Sequence, residues 1–335
     1  MNYFVTVRGG SLCATNVALW TEDLQNGCDV GFELNSCVAW FVGLTQETAH
    51  LDHTLNTNNP PADHSEVTVI NSRIRASRAD YGNCIRTYTN AKLVVTNCYL
   101  YRGTGSVESA VSPTRAFMHN AVSVNGYSNQ VIIAGNTVDH LPWGLACYGS
   151  IGGNHILIES NNIRNSLYGG LWFDWMWYSG VDLGGGDCGS RGGNVFSQAP
   201  SPGSNFCADV LYMNTSGYHP LANIFALRNI WSNATNRETV IYDKLDNPDY
   251  GRCLTEELVV RIAGPDADGC PVIAWNDRQA GEQYAVQICS DLSAAAWTNA
   301  PGSWPVVNPG TGDMYWTNTA PFPVRGFYRI QSRFQ

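Results

Sequence analysis

The chain has 335 residues and a mass of 36.6 kDa, with 44% hydrophobic and 14% charged residues, a composition that excludes a disordered polymer. The formal charge is −9 and the pI about 5.2, and of nineteen basic residues only Lys92 and Lys244 are lysines. That argues against a nucleic-acid partner, and less strongly against polyuronates such as pectin or alginate, so a neutral ligand fits better.

No apolar run reaches about 18 residues, so no transmembrane helix and no membrane partner are predicted. "MNYFVTVRGG" lacks the basic and apolar regions of a signal peptide. The abrupt start in strand-like sequence reads as that of a piece cut from a longer, secreted protein.

Along the chain one pattern recurs. "VTVINSRI" from Val67, "LVVTNCYL" from Leu93, "VIIAGNTV" from Val131 and "ILIESNNI" from Ile156 each carry apolar residues at positions one, three and eight. Asn, Gly or Ser lies near the bend between, and the copies are 26, 38 and 25 residues apart. "VTVRGGSL" from Val5 and "IFALRNIW" from Ile224 are weaker copies. Short alternating strands with a period near 25 predict a parallel β-helix, whose inward side chains stack from coil to coil. Asn and Gly tolerate the left-handed backbone that its corners require. The longer interval predicts a loop inserted at 103–120, and the polar, Pro-containing stretch 46–66 predicts a long surface loop.

"YGGLWFDWMWYSG", residues 168–180, holds more rings than a narrow coil interior can take. "GLWF" is expected to end a strand and "DWMWYSG" to loop outward, exposing aromatics as an interaction site. Pyranose faces stack on such rings while hydroxyls need polar partners. Trp172, Trp175, Trp177 and Tyr178 are therefore candidate sugar platforms, Asp174 a hydroxyl acceptor, and Trp143, Tyr148 and Tyr168 neighbours that extend the platform. Trp20, Trp40, Phe41 and Trp231 are expected to pack within coils.

"VDLGGGDCGSRGGNVF", residues 181–196, has neither the lysine nor the helix of a phosphate loop and predicts a sharp coil corner. Asp174, Asp182 and Asp187 lie close in sequence and are the candidate acid and base of an alternative glycoside hydrolase, extended by Asp139–His140, His155 and Glu159. The polygalacturonase motif set is absent. A lyase would need a base such as Lys92, Lys244, Arg164 or Arg191. Asp182 and Asp187 could bind calcium, but no EF-hand spacing supports a metal. The eleven cysteines show no CxxC pair. Cys188 with Cys207 and Cys253 with Cys270 are plausible local disulfides, and the remainder read as small buried hydrophobes.

From residue 254 onward short strands separated by Gly, Pro and Asn predict a small antiparallel module, whose core should hold Trp275, Trp297, Trp304 and Trp316. The expected division is thus a β-helix over 1–253 and a sandwich-like module over 254–335. "SDLSAAAWTNAPGSWP…GFYRIQS" resembles the small C-terminal β modules of secreted bacterial proteins. The glycine run is similar to one in many right-handed parallel β-helix proteins. In overall organisation and in its aromatic cluster, the chain resembles the β-helical xylan-binding modules attached to some gut-bacterial xylanases. That resemblance implies a non-catalytic module binding xylan or another plant cell-wall polysaccharide, without a cofactor, beside a catalytic domain in a parent chain. A structural stalk or adhesin is the remaining reading.

Overall fold

The computed structural model describes residues 2–19, 29–46, 53–57, 64–76, 83–102, 120–148, 153–166, 168–174, 176, 180–198, 208–215, 217, 221–256, 259–265, 270–276, 283–289, 297–300, 306–307, 314–317 and 327–333. The chain divides into two compact units, 1–255 and 256–335. No helix among the described residues is long and apolar enough to cross a membrane.

The first unit is a parallel β-helix with three faces. Among the described residues sheet A has nine strands, from Asn2–Arg8 to Ile241–Tyr242, and sheet B nine, from Ser11–Thr15 to Cys253–Leu254. Sheet C has seven, from Ala18–Leu19 to Val195–Ser197. Among the described residues the first seven coils each contribute one strand to each sheet in the order A, B, C and the last two contribute to A and B, with neighbours pairing in parallel.

The repeat maps directly onto this frame. Positions one and three lie on sheet B and position eight on sheet C, with all three facing inward. Val67, Val69 and Ile74 stack under Leu93, Val95 and Leu100, then Val131, Ile133 and Val138, then Ile156, Ile158 and Ile163, all buried. Burial of each such side chain is worth about 1.5–3 kcal/mol, so the stack supplies much of the driving force. Position five turns the corner in the left-handed region, at Asn71, Asn97, Gly135 and Ser160.

In the later coils position six carries a ladder of asparagines, of which Asn136, Asn161 and Asn194 are buried. The Oδ1 of Asn136 accepts the Cys98 N–H, that of Asn161 accepts Asn136 N–H, that of Asn194 accepts Asn161 N–H, and that of Asn229 accepts Asn194 N–H, at 2.9–3.1 Å. Their Nδ2 groups donate to carbonyls of the coil before, as from Asn161 to Ile133 at 2.9 Å. The backbone leaves sheet B at this corner and cannot pair with itself there, so the side-chain amides satisfy it instead.

"IFALRNIW" is a full copy, with Ile224, Ala226 and Trp231 inward, Arg228 at positive φ and Asn229 in the ladder. Trp231 stacks on Phe196 at 5.0 Å. "VTVRGGSL" is out of phase: it crosses from sheet A to sheet B, and the true copy in that coil starts at Leu12. The glycine run is also a copy, with Val181, Leu183 and Phe196 inward and an insert at the corner. There Gly184 is required, because a Cβ would meet the Leu227 carbonyl at 2.0 Å.

Other expectations change. The stretch 46–66 is not simply a loop, since His53–Thr57 forms a strand of sheet A between Asp29–Asn35 and Asn83–Thr87. Its register is set by partners on both sides, which a polar local pattern conceals. Residues 103–119 lie outside the described set, but the flanking strands Tyr99–Tyr101 and Asn120–Asn125 occupy ordinary places in sheets C and A. Phe41 packs inward, whereas Trp40 is 42% exposed because strand alternation turns it out. Trp20 is outside the described residues.

Most of the described cysteines behave as buried hydrophobes, whereas Cys13 is exposed and Cys188 and Cys270 are half-buried. Cys37, Cys84, Cys98, Cys147 and Cys253 are thiols buried in the β-helix core, and burial pushes Cys98 up to about 11. The Cys253–Cys270 disulfide is absent: both are thiols, and Cys253 faces the core as the neighbour of Ile224. Cys188 is also a thiol, and Cys207 lies outside the described residues.

The second unit consists of small antiparallel sheets. Val260–Pro265, Pro271–Trp275 and Met314–Thr317 form one, and Gln283–Cys289 pairs with Thr298–Asn299, Val306–Val307 and Phe327–Arg333 in the other. Trp275 and Trp316 pack with Ile273, Tyr284 and Val286. Trp297 instead lies half-buried with the Arg329 guanidinium 4.5 Å over its ring, and Trp304 is outside the described residues. The expected boundary at 253/254 falls inside the last strand of sheet B.

Candidate functional site

The aromatic residues singled out from sequence gather on the outer face of sheet A. Across consecutive coils Ala146, Trp172, Leu211 and Tyr242 align, as do Tyr148, Asp174 and Met213. The alternating residues Leu145, Leu171, Phe173, Val210 and Tyr212 fill the core, so Trp172 and Tyr148 point away from it. Their rings lie 5.7 Å apart at 44°. Trp143, Ala208 and Leu211 form the buried floor, flanked by half-buried Tyr168, Trp172, Met213, Tyr242 and Tyr250. Gly169 makes room for that floor, since a Cβ there would come within 2.4 Å of the Trp143 ring. Trp143 is 1% exposed and so supports the platform rather than forming its surface. Trp175, Trp177 and Tyr178 lie outside the described residues. Met176 is fully buried, so the segment after Phe173 does not simply loop outward as expected.

The aspartates are occupied. Asp174 closes the strand Gly169–Asp174 and is 1% exposed, because the chain returning at Thr215 covers it. The Thr215 N–H donates to its Oδ1 at 2.9 Å and the Thr215 hydroxyl to its Oδ2 at 2.6 Å. This corrects its expected role as a solvent-facing hydroxyl acceptor. Its charge, after burial, helps hold the Tyr148 hydroxyl above the ordinary tyrosine range.

Asp182 lies on sheet B and organises the glycine insert. Its Oδ1 accepts N–H groups of Gly184 and Gly186, and its Oδ2 that of Ser190, at 2.8–2.9 Å. Both oxygens serve the turn as its anchor. Asp187 is exposed on that insert. Among the described residues no three His, Cys, Asp or Glu side chains meet as a metal site requires.

The extension residues fall on two faces. His155 lies on sheet B beside a shallow depression of about 370 Å³ bordered by Lys92, Gln130, Ile132, Asp187 and Cys188. The Cys188 sulfur is 3.9 Å from its Nδ1, and burial raises that thiol's pKa. Glu159 pairs with Arg191 at 3.1 Å, and the Arg191 hydrogen bonds hold its carboxyl below the usual range.

Asp139 instead lies on sheet C, next to the corner leading to sheet A, at the centre of a polar network. Its Oδ1 lies 2.7 Å from His140 Nδ1 and accepts a hydrogen bond from Asn165 Nδ2 at 2.9 Å. Its Oδ2 accepts the Tyr99 hydroxyl at 2.8 Å and Arg164 Nη2 at 3.1 Å. Burial alone would raise the Asp139 pKa, but bonds from Asn165, Tyr99 and Arg164 and the neighbouring His140 outweigh it and lower it. Tyr99 stacks on Tyr101 at 4.8 Å, with the Arg73 guanidinium 4.9 and 4.4 Å over the two rings. Sequence reasoning marked Asp139–His140 but missed the tyrosines and Arg73. The missed signal was the repeat's positions seven and nine, which flank the inward position eight and so face outward: Arg73, Tyr99, Thr137, Asn162 and Arg75, Tyr101, Asp139, Arg164.

Comparison of the chain with family models, with curated proteins and with solved structures gave no match.

Proposed function

We propose that this protein binds a polysaccharide across the outer face of sheet A, with Trp172 and Tyr148 as its platform. The observation that carries the reading is the pair of tilted rings, half-exposed over a buried aromatic floor, on a face the core does not use. Rings fixed in this way present flat apolar surface at small entropic cost, which suits the C–H faces of a pyranose. Tyr168, Tyr242 and Tyr250 extend the face. The resemblance to xylan-binding β-helical modules makes xylan the first glycan to try. It also supplies the secreted setting, the plant cell wall as target and a catalytic domain as companion.

Affinity electrophoresis against xylan, a β-glucan and pectin tests the reading. Retardation in at least one neutral gel is expected, and Trp172→Ala should weaken it about tenfold, since the ring contributes on the order of 1–2 kcal/mol. Retardation unchanged in that variant, or no retardation at all, would sink the proposal.

A glycan-cleaving enzyme is the second reading, and one observation favours it. His140 Nδ1 lies 2.7 Å from the Asp139 carboxylate, on an imidazole side chain that is 38% exposed. An oriented imidazole is the arrangement a general base requires. A reducing-sugar assay on the same polymers separates the readings: new ends formed by the parent and lost in His140→Ala would establish cutting.

A further inference from the structure

The outward positions of sheet C reverse the sign of the molecule's charge locally. On a chain of net charge −9 they bring Arg73, Arg75 and Arg164 to one face, with Asp139 as their sole acid among the described outward positions. Asp139 has 4% of its surface exposed and accepts three hydrogen bonds, with His140 Nδ1 2.7 Å away, so the carboxylate is the buried support and the cations are what solvent meets. Arg164 is 41% exposed in its side chain and uses Nη2 on Asp139, an arrangement that fixes the guanidinium plane. Arg73 is exposed, with its guanidinium carbon held 4.9 and 4.4 Å over the Tyr99 and Tyr101 rings. Held guanidinium groups are suited to bind a planar carboxylate or a sulfate.

This patch borders the aromatic face. Asp139–His140 leads through Leu141 and Pro142 into Trp143, and Arg164–Asn165 leads within a few residues into Tyr168. The Pro142 carbonyl accepts the Tyr168 N–H at 3.0 Å, tying the two coils together at that corner.

We infer that the outer face of sheet C is an anion subsite, with Arg164 near the corner to sheet A and Arg73 three strands further along the sheet taking the acidic substituents of a glycan whose rings lie on the sheet A face. The ligand is therefore an acidic glycan, carrying uronate carboxylates or sulfate esters, rather than the wholly neutral polymer that the overall charge suggests. The inference rests on the glycan-binding reading. His140, positioned by Asp139, offers its remaining ring nitrogen to a neighbouring hydroxyl.

The test uses the full chain and one polymer in two forms: glucuronoxylan, and the same sample after chemical reduction of its carboxyls to alcohols. A sulfated galactan supplies the sulfate arm, and polyglutamate is a polyanion without sugar rings. The parent should bind glucuronoxylan about tenfold more tightly than the reduced form, with the advantage fading as salt rises. Arg164→Gln and Arg73→Gln should each remove most of that advantage while leaving affinity for the reduced polymer unchanged. Arg73→Gln leaves every Asp139 bond intact, so it remains informative if Arg164→Gln unfolds, as circular dichroism would show.

Preference for the galactan would assign the subsite to sulfate, and preference for glucuronoxylan to carboxylate. Equal affinity for both forms of xylan, or equal binding of polyglutamate, would overturn the inference. Loss of reduced-polymer binding in Trp172→Ala with the charge advantage retained supports both proposals. An unaffected Trp172→Ala variant with a charge effect intact would remove the aromatic platform and leave the anion subsite standing.

Discussion

Asp209 lies fully buried on a strand of sheet A, its Oδ2 accepting the Ser232 N–H at 2.7 Å. Burial pushes its pKa up to about 6, and the bonds from Ser232 only partly offset this. The folded value exceeds the unfolded value of about 3.9, so the native state holds the proton longer. Stability from this group is therefore full below about pH 4 and is lost as the pH rises through about 6. The resulting penalty at neutral pH is about 3 kcal/mol. Asp209→Asn should melt higher than the parent at pH 7, with the gap closing as the pH falls to 4. Melts at several pH values check this, and an equal offset at every pH would refute it. Asp139 has the opposite sign: its lowered pKa gives stability above the unfolded value that is lost as pH falls through the folded one. Single residues were the least legible scale in the sequence. Strand alternation turns Trp172 outward and Phe173 inward, yet Asp174 is covered by Thr215, a contact 41 residues away that no local pattern announces.

At the scale of the element, the corner asparagines determine how one coil seats on the next. Asn161 takes two donors from Asn136 on Oδ1 and gives Nδ2 to Ile133 and Asn194, all within the buried corner. Asn161→Ala should cost about 3–5 kcal/mol, because it orphans a buried backbone N–H and a carbonyl together. Asn97→Gly, at an exposed position-five corner with φ 54°, should stay within about 0.5 kcal/mol. Urea titrations of the two variants decide the matter, and equal losses would refute the ladder's role. The coil pattern was legible because positions one, three and eight must be apolar wherever a coil stacks on a coil. His53–Thr57 was not, because a strand fixed by partners on both sides does not need a strong pattern of its own. The Asp139 network was half legible, since its members sit at matching outward positions in coils 25 to 38 residues apart.

At the scale of the molecule, the β-helix and the C-terminal unit have separate cores. Residues 1–255 alone should therefore melt cooperatively at the temperature of the corresponding transition in the full chain and keep its glycan affinity. Calorimetry of both forms checks this, and a truncated chain without a transition would show that the cores depend on one another. The change in texture near residue 254 made this division readable. What it did not convey is the direction of the bonds. Every ladder bond of sheets A, B and C joins one coil to the next, while the covalent chain circles around them. Tension along the axis would thus load hydrogen bonds instead of backbone. An end coil has a neighbour on one side alone and would yield first. Each coil of about 25 residues would then release roughly 80–90 Å of extended chain. Pulled from its ends, the solenoid would lengthen in regular steps, as a spool gives up thread, while the coils still stacked kept their shape.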